Sequence, residues 1–152
     1  MWQRIQTVWL LLVGLLMALF AFQDIAVFTL PSGQACVLDN WRIYSAVDGA
    51  SLHSVWGIGI LSVLTALGSL ALIFLYKRRI LQMRLTILTL LVILGELIDI
   101  AWASWQFCTE NDASFAIRFP LALPIICLPL HYLASRRMIY DETLVRASQR
   151  LR

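Results

Sequence analysis

Residues 84–107 read RLTILTLLVILGELIDIAWASWQF, and past Arg84 the run carries only two charged residues, Glu96 and Asp99. A bilayer hydrocarbon core about 30 Å thick is crossed by about 20 helical residues at about 1.5 Å each. The run is long enough to cross, and two buried carboxylates are a cost it can carry. A charge at helix centre costs about 2.5–3.5 kcal/mol on insertion scales, and each Leu, Ile or Val returns about 0.3–0.6 kcal/mol.

Three further apolar runs flank it, over 6–29, 52–76 and 115–134. The chain of 152 residues is 61% hydrophobic and only 14% charged, with a mean hydropathy of +0.80. A soluble domain is nearer half apolar and a quarter charged. With no water to satisfy the backbone inside lipid, such runs are expected as helices. The expected fold is an all-α membrane protein, a single four-transmembrane-helix bundle over 1–152, with an outer loop at 30–51 and a tail at 135–152. The first run reads as a retained helix. Only Arg4 charges its start, apolar residues continue past Phe22, and no A-x-A cleavage pattern follows.

Lys and Arg in short loops set orientation. Arg4, Lys77, Arg78, Arg79, Arg84, Arg136, Arg137, Arg146, Arg150 and Arg152 fall on one side; Arg42 and Arg118 fall on the other, beside Asp39, Asp48, Glu110 and Asp112. Both termini are therefore expected in the cytoplasm, with the tail continuing the fourth helix beyond the membrane. The basic residues form short clusters between apolar runs. Nucleic-acid binding asks instead for a broad basic face interleaved with aromatics. The expected partners are anionic headgroups, another membrane protein or a second copy of the chain.

The loop 30–51 is expected to be irregular, with a small hairpin about Asp39-Asn40 in ACVLDNWRIY as the alternative. Small residues at Gly14, Ala18 and Ala21, and at Ser62, Ala66 and Ser69 with Gly59 and Gly68 nearby, mark close helix contacts. Pro124 and Pro129 read as interior to the fourth helix, freeing carbonyls four residues earlier.

Glu96 and Asp99 share a face at spacing i, i+3. Arg118, bending inward, is the expected partner of Asp99. Asp24 adds a third acid at similar depth, and Glu96 is expected as the protonated member. Intramembrane acids mark proton or ion routes by default; a buried polar clasp joining the third and fourth helices, or docking a partner protein, is the alternative and the leading reading. No H-E-x-x-H, Walker loop or dinucleotide fingerprint is present, so neither enzyme nor metal nor cofactor is expected. Cys36 and Cys108 fall on the same outer side and are a candidate disulfide.

The opening WQRIQTVWLLLVGLLMALF, the link YKRRILQMRL and the tail DETLVRASQRLR resemble a Gram-negative bacterial family of small four-helix membrane proteins, domain of unknown function four-two-nine-three. The resemblance spans nearly the whole chain. Its sharpest parts are Gln3 to Gln6, Gln82-x-Arg84-Leu85, Leu144-Val145-Arg146 and Arg150-Leu151-Arg152. It implies an inner-membrane location and four spans, and no activity. The matching motifs place the working surface, including Gln82, at the cytoplasmic face. The function expected is a non-enzymatic accessory or scaffold subunit acting through that face. The alternative is a small proton- or ion-coupled protein using Glu96, Asp99 and Asp24.

Overall fold

The computed structural model describes residues 3–75 and 78–150, without the side chains of 3–6, 79, 141, 142 and 144–150. Four helices, α1 (Gln3–Phe20), α2 (Trp56–Phe74), α3 (Arg79–Asn111) and α4 (Ala122–Arg150), combine with five strands, β1 (Ala26–Thr29), β2 (Ala35–Leu38), β3 (Arg42–Ser45), β4 (Ser51–Ser54) and β5 (Ser114–Ile117). The fold is therefore mixed, α with β, and the all-α expectation is overturned. The strands form one antiparallel sheet in the order β4-β3-β2-β1-β5.

The sheet is built largely from the ends of the apolar runs. The first run does not continue as helix to 29: α1 stops at Phe20 and Ala26–Thr29 becomes β1. The second and fourth runs likewise begin with strands β4 and β5. The physical reason is hydrogen bonding. A segment entering or leaving a helix must still satisfy its backbone, and β-branched and aromatic segments such as AVFT and SFAI suit a pleated ladder. Strand β5, lying between α3 and α4, returns to pair with the free edge of β1, and Arg118 N–H extends that pairing by donating to Ile25 O at 3.0 Å.

Between β2 and β3 the chain turns at Asp39, whose Oδ1 accepts from the N–H groups of Trp41 and Arg42 at 2.7 and 2.6 Å. The hairpin named as the alternative for this loop is present, as the centre of a larger sheet. Gly33 and Gly49 take left-handed φ values of 81° and 65° in the turns on either side, a conformation glycine adopts without steric cost.

All four helices meet the sheet at one end, the sheet end. The short link after α2 leads into α3 at the other, the turn end. Each helix packs on two neighbours, α1 on α2 and α4, and α3 on α2 and α4. The packing inverts the soluble pattern. On α2 the buried face runs from Ile58 to Leu72 through Gly59, Ser62, Thr65, Ala66 and Ser69, small or polar between its two ends, while Leu64 and Leu67 point outward at 53% and 63% exposure. Large apolar residues facing out from small and polar ones facing in is the arrangement a lipid solvent favours. Three helices, over Trp56–Phe74, Ile80–Asn111 and Phe119–Tyr140, are long and apolar enough to cross a membrane.

Close approach decides two of these contacts. Gly14 of α1 lies against Leu70 and the Ala66 carbonyl of α2. At Gly59 an added Cβ would stand 2.7 Å from the Trp41 ring and 2.8 Å from Asn40 O, so α2 and the β2–β3 turn touch backbone to backbone. Gly59→Ala is expected to destabilise by about 1–3 kcal/mol through overpacking, read as a lowered unfolding midpoint in mild detergent. An unchanged midpoint would mean that the turn does not dock there.

Candidate functional site

The interior of the helices holds more polar groups than their sequence suggests. Glu96 of α3 is fully buried, and its Oε1 is hydrogen-bonded to Ser62 Oγ of α2. Ser62 Oγ also lies 2.9 Å from Asn40 Oδ1 and 3.0 Å from Ile58 O. Asn40, itself fully buried, donates through Nδ2 to Phe20 O at 2.7 Å and to Gln23 O at 3.3 Å. One asparagine in the sheet's turn thus ties the end of α1, the face of α2 and, through Ser62, the carboxyl of α3. The clasp expected between the third and fourth helices is not the one that forms: Glu96 is held by Ser62 of α2 and, through it, by Asn40 of the sheet's turn.

Toward the turn end the polar groups continue without partners. Thr65 Oγ1 and Ser69 Oγ of α2, Glu96 Oε2, and both ring nitrogens of His131 are buried and make no hydrogen bond among the described residues. The Thr86 backbone comes near the His131 ring, short of good hydrogen-bond geometry. On α4, Cys127 and His131 fall on one buried stripe with Ala134 and Met138. Beyond them Leu10, Leu72, Ala134 and Met138 form a separate apolar cluster toward the turn end, with Gln82, Thr86 and Ser135 buried beside it.

The remaining acids do not join this interior. Arg118 pairs with Asp24, Nη1 to Oδ2 at 2.6 Å, at the partly exposed sheet end, and not with Asp99 as expected. The reason is position: Arg118 follows β5, which pairs with β1, and Asp24 lies two residues before the start of β1. Tyr44 donates to the same carboxylate at 3.3 Å. Its own burial, with the nearby Asp24 charge second, holds the Tyr44 phenol above its ordinary range. Asp99 is half-buried and packs over Gly57, where an added Cβ would stand 2.8 Å from Oδ2. One proline of α4 is also placed otherwise than expected. Pro124 lies in the first turn of α4 and only Pro129 is interior, while Glu96 is met by Ser62.

Cys36 and Cys108 are free thiols. Cys36 is fully buried in β2, and burial pushes its thiol up, so it is a poor nucleophile while folded.

At the turn end Arg78, Arg84, Arg136 and Arg137 are exposed. Arg4, Arg79, Arg146 and Arg150 lie on helix termini whose side chains are not described. Lys77 and Arg152 of the expected basic face lie outside the described residues. Gln82 departs from that face: it is 8% exposed and donates to Leu72 O at 2.9 Å, locking α3 onto α2. The two arginines at the sheet end are each matched by an acid, Arg42 by Asp39 and Arg118 by Asp24. Among the described residues Arg78, Arg84 and Arg136 have no ion-pair partner.

Asn40 and His131 carry no site expectation in the sequence. Asn40 reads as a turn residue, and its partners lie 17–22 positions away. The interior placement of His131 was open to reading, since Cys127, His131, Ala134 and Met138 recur at helical spacing.

The chain belongs to the family described as domain of unknown function DUF4293, whose profile matches residues 2–151. Among curated proteins none matches the chain significantly.

Proposed function

We propose that this family member is a non-enzymatic scaffold or accessory subunit of a bacterial inner membrane, engaging an anionic partner surface through its turn end. On this reading α1 is a fourth span beside the three long apolar helices. The turn end and both termini face the cytoplasm, in accord with the bias of basic residues. The observation that carries the reading is the asymmetry of charge compensation. Arginines at the sheet end are neutralised by acids, while Arg78, Arg84 and Arg136 at the turn end have none among the described residues. Positive charge left unmatched at one end of a rigid body is charge available to a partner. The Asn40–Ser62–Glu96 clasp supplies the rigidity, since it fixes the sheet to three helices.

The test is affinity purification from native membranes in mild detergent, followed by mass spectrometry. Arg84→Ala with Arg146→Ala is expected to lose a reproducible partner that the wild type and Glu96→Gln both retain. Retention by the double variant would refute the reading.

A second reading, a proton- or ion-coupled protein, is favoured by the orphaned interior groups of Glu96, Thr65, Ser69 and His131. Against it stands the apolar cluster of Leu10, Leu72, Ala134 and Met138 on the turn-end side of those groups. A pH-dye assay in proteoliposomes tests it: flux in the wild type that Glu96→Gln abolishes would displace the scaffold reading.

A further inference from the structure

A groove of about 360 Å³ runs between α2 and α3 on the outward face of the helices. Its α2 wall extends from Leu64 to Leu75 and its α3 wall is formed by Leu85, Leu88 and Val92. The eleven steps from Leu64 to Leu75 span about 16 Å at about 1.5 Å each, close to half of a hydrocarbon core about 30 Å thick. Thr89 is the one side chain in the lining able to hydrogen-bond, and its hydroxyl already donates to Leu85 O at 2.8 Å. The groove therefore asks nothing polar of its occupant along its length. It stays open because Gly68 and Ala71 lie on its α2 wall.

The polar demand sits at one end. The groove reaches the turn end at Leu75 and Leu85. Arg84 adjoins Leu85 and lies one helical turn from Leu88; Arg78 donates its N–H to Leu75 O at 2.9 Å. Both arginines are exposed and neither has an acid partner among the described residues. The occupant is apolar for about half a membrane and anionic at its end.

We propose that this groove is a binding site for one anionic phospholipid of the cytoplasmic leaflet, its acyl chain between α2 and α3 and its phosphate at Arg78 and Arg84. The assignment rests on the orientation given under Proposed function and deepens it, naming the partner of the basic end. A second copy of the chain fits less well. Two copies inserted in the same sense bring their unmatched arginines to the same depth, where like charges repel.

Native mass spectrometry of the full chain, released from nanodiscs of equal phosphatidylcholine and phosphatidylglycerol, tests the site. One phosphatidylglycerol is expected to remain bound to the wild type. Ala71→Phe, which fills the groove from an outward-facing position, is expected to lose that lipid. Arg84→Gln is expected to keep a lipid while its preference for phosphatidylglycerol over phosphatidylcholine falls about fivefold, the share of one arginine near an anionic surface. Equal retention of the two lipids by the wild type would overturn the proposal, as would full retention by Ala71→Phe or a dimer mass in place of the lipid adduct. If Ala71→Phe keeps the lipid while Arg84→Gln loses the preference, the groove fails and the basic end survives as an anion-binding surface. If neither variant changes anything, both readings fail.

Discussion

Asn40→Asp is expected to unfold the protein at a markedly lower temperature than any surface substitution, with a loss of about 4 kcal/mol. The Asn40 side chain is fully buried and holds opposite roles at its two ends. Its Nδ2 donates to the carbonyls of Phe20 and Gln23, and its Oδ1 accepts from Ser62. Aspartate keeps the shape and removes both donated bonds. It also points a second acceptor at two carbonyls and sets a buried charge with no cation beside it, a situation that typically costs 3–5 kcal/mol. Asn40→Ala removes all three contacts without adding charge. It is expected to cost about 3 kcal/mol, since each buried group left without its partner costs about 1–3 kcal/mol. Gln34→Ala is a suitable control, because its one bond, to Ser45 Oγ, is only part-buried and should be worth under about 1 kcal/mol. Unfolding in mild detergent, followed by circular dichroism, gives the order. If aspartate is no worse than alanine, the amide is not a donor and the clasp has been misassigned.

What could be read from the residues alone divides along physical lines. The apolar runs, the small-residue faces of α1 and α2 and the helical tail rest on composition and on a period of 3.6, and both survive in the folded chain. The helix boundaries at Phe20, Val55 and Asp112 do not. A segment such as AVFT is as apolar as the helix before it, so hydropathy continues across the boundary while the hydrogen bonding changes from local to long-range. The sheet exists because β5 finds β1 across 85 or more residues, and no local pattern announces that pairing. The same reason separates the two predicted sites. Glu96 is conspicuous because a carboxylate is rare among leucines. Its partners Ser62 and Asn40 are ordinary residues made important by where the sheet docks. Arg118 went to Asp24 because the pairing of β5 with β1 carries it there.

Ser62→Ala is expected to cost about 3 kcal/mol, far more than the loss of one hydroxyl from a surface would, and the reason is a count of hydrogens. Ser62 Oγ has one hydrogen to give and stands against three oxygens: Asn40 Oδ1, Ile58 O and Glu96 Oε1. The first can only accept, because the donating end of that amide is turned to Phe20 and Gln23, and a backbone carbonyl can only accept. Were Glu96 a carboxylate, three acceptors would face one hydrogen in a buried site. A carboxylic acid at Glu96 supplies the missing donor: it gives its hydrogen to Ser62, and Ser62 gives its own to Asn40 Oδ1. The infrared spectrum of the wild type near neutral pH is therefore expected to show a carboxylic-acid carbonyl band that Glu96→Gln removes. Alanine at position 62 leaves both the Glu96 hydrogen and Asn40 Oδ1 unmatched, at about 1–3 kcal/mol each. Adding Glu96→Leu to Ser62→Ala removes one of those two orphans and is expected to recover about 1.5 kcal/mol, a coupling within the usual range for residues in one network. Strictly additive losses, or a wild type without the acid band, would mean that Glu96 and Ser62 do not share a proton-bearing bond, and the clasp between sheet and helices would then end at Asn40.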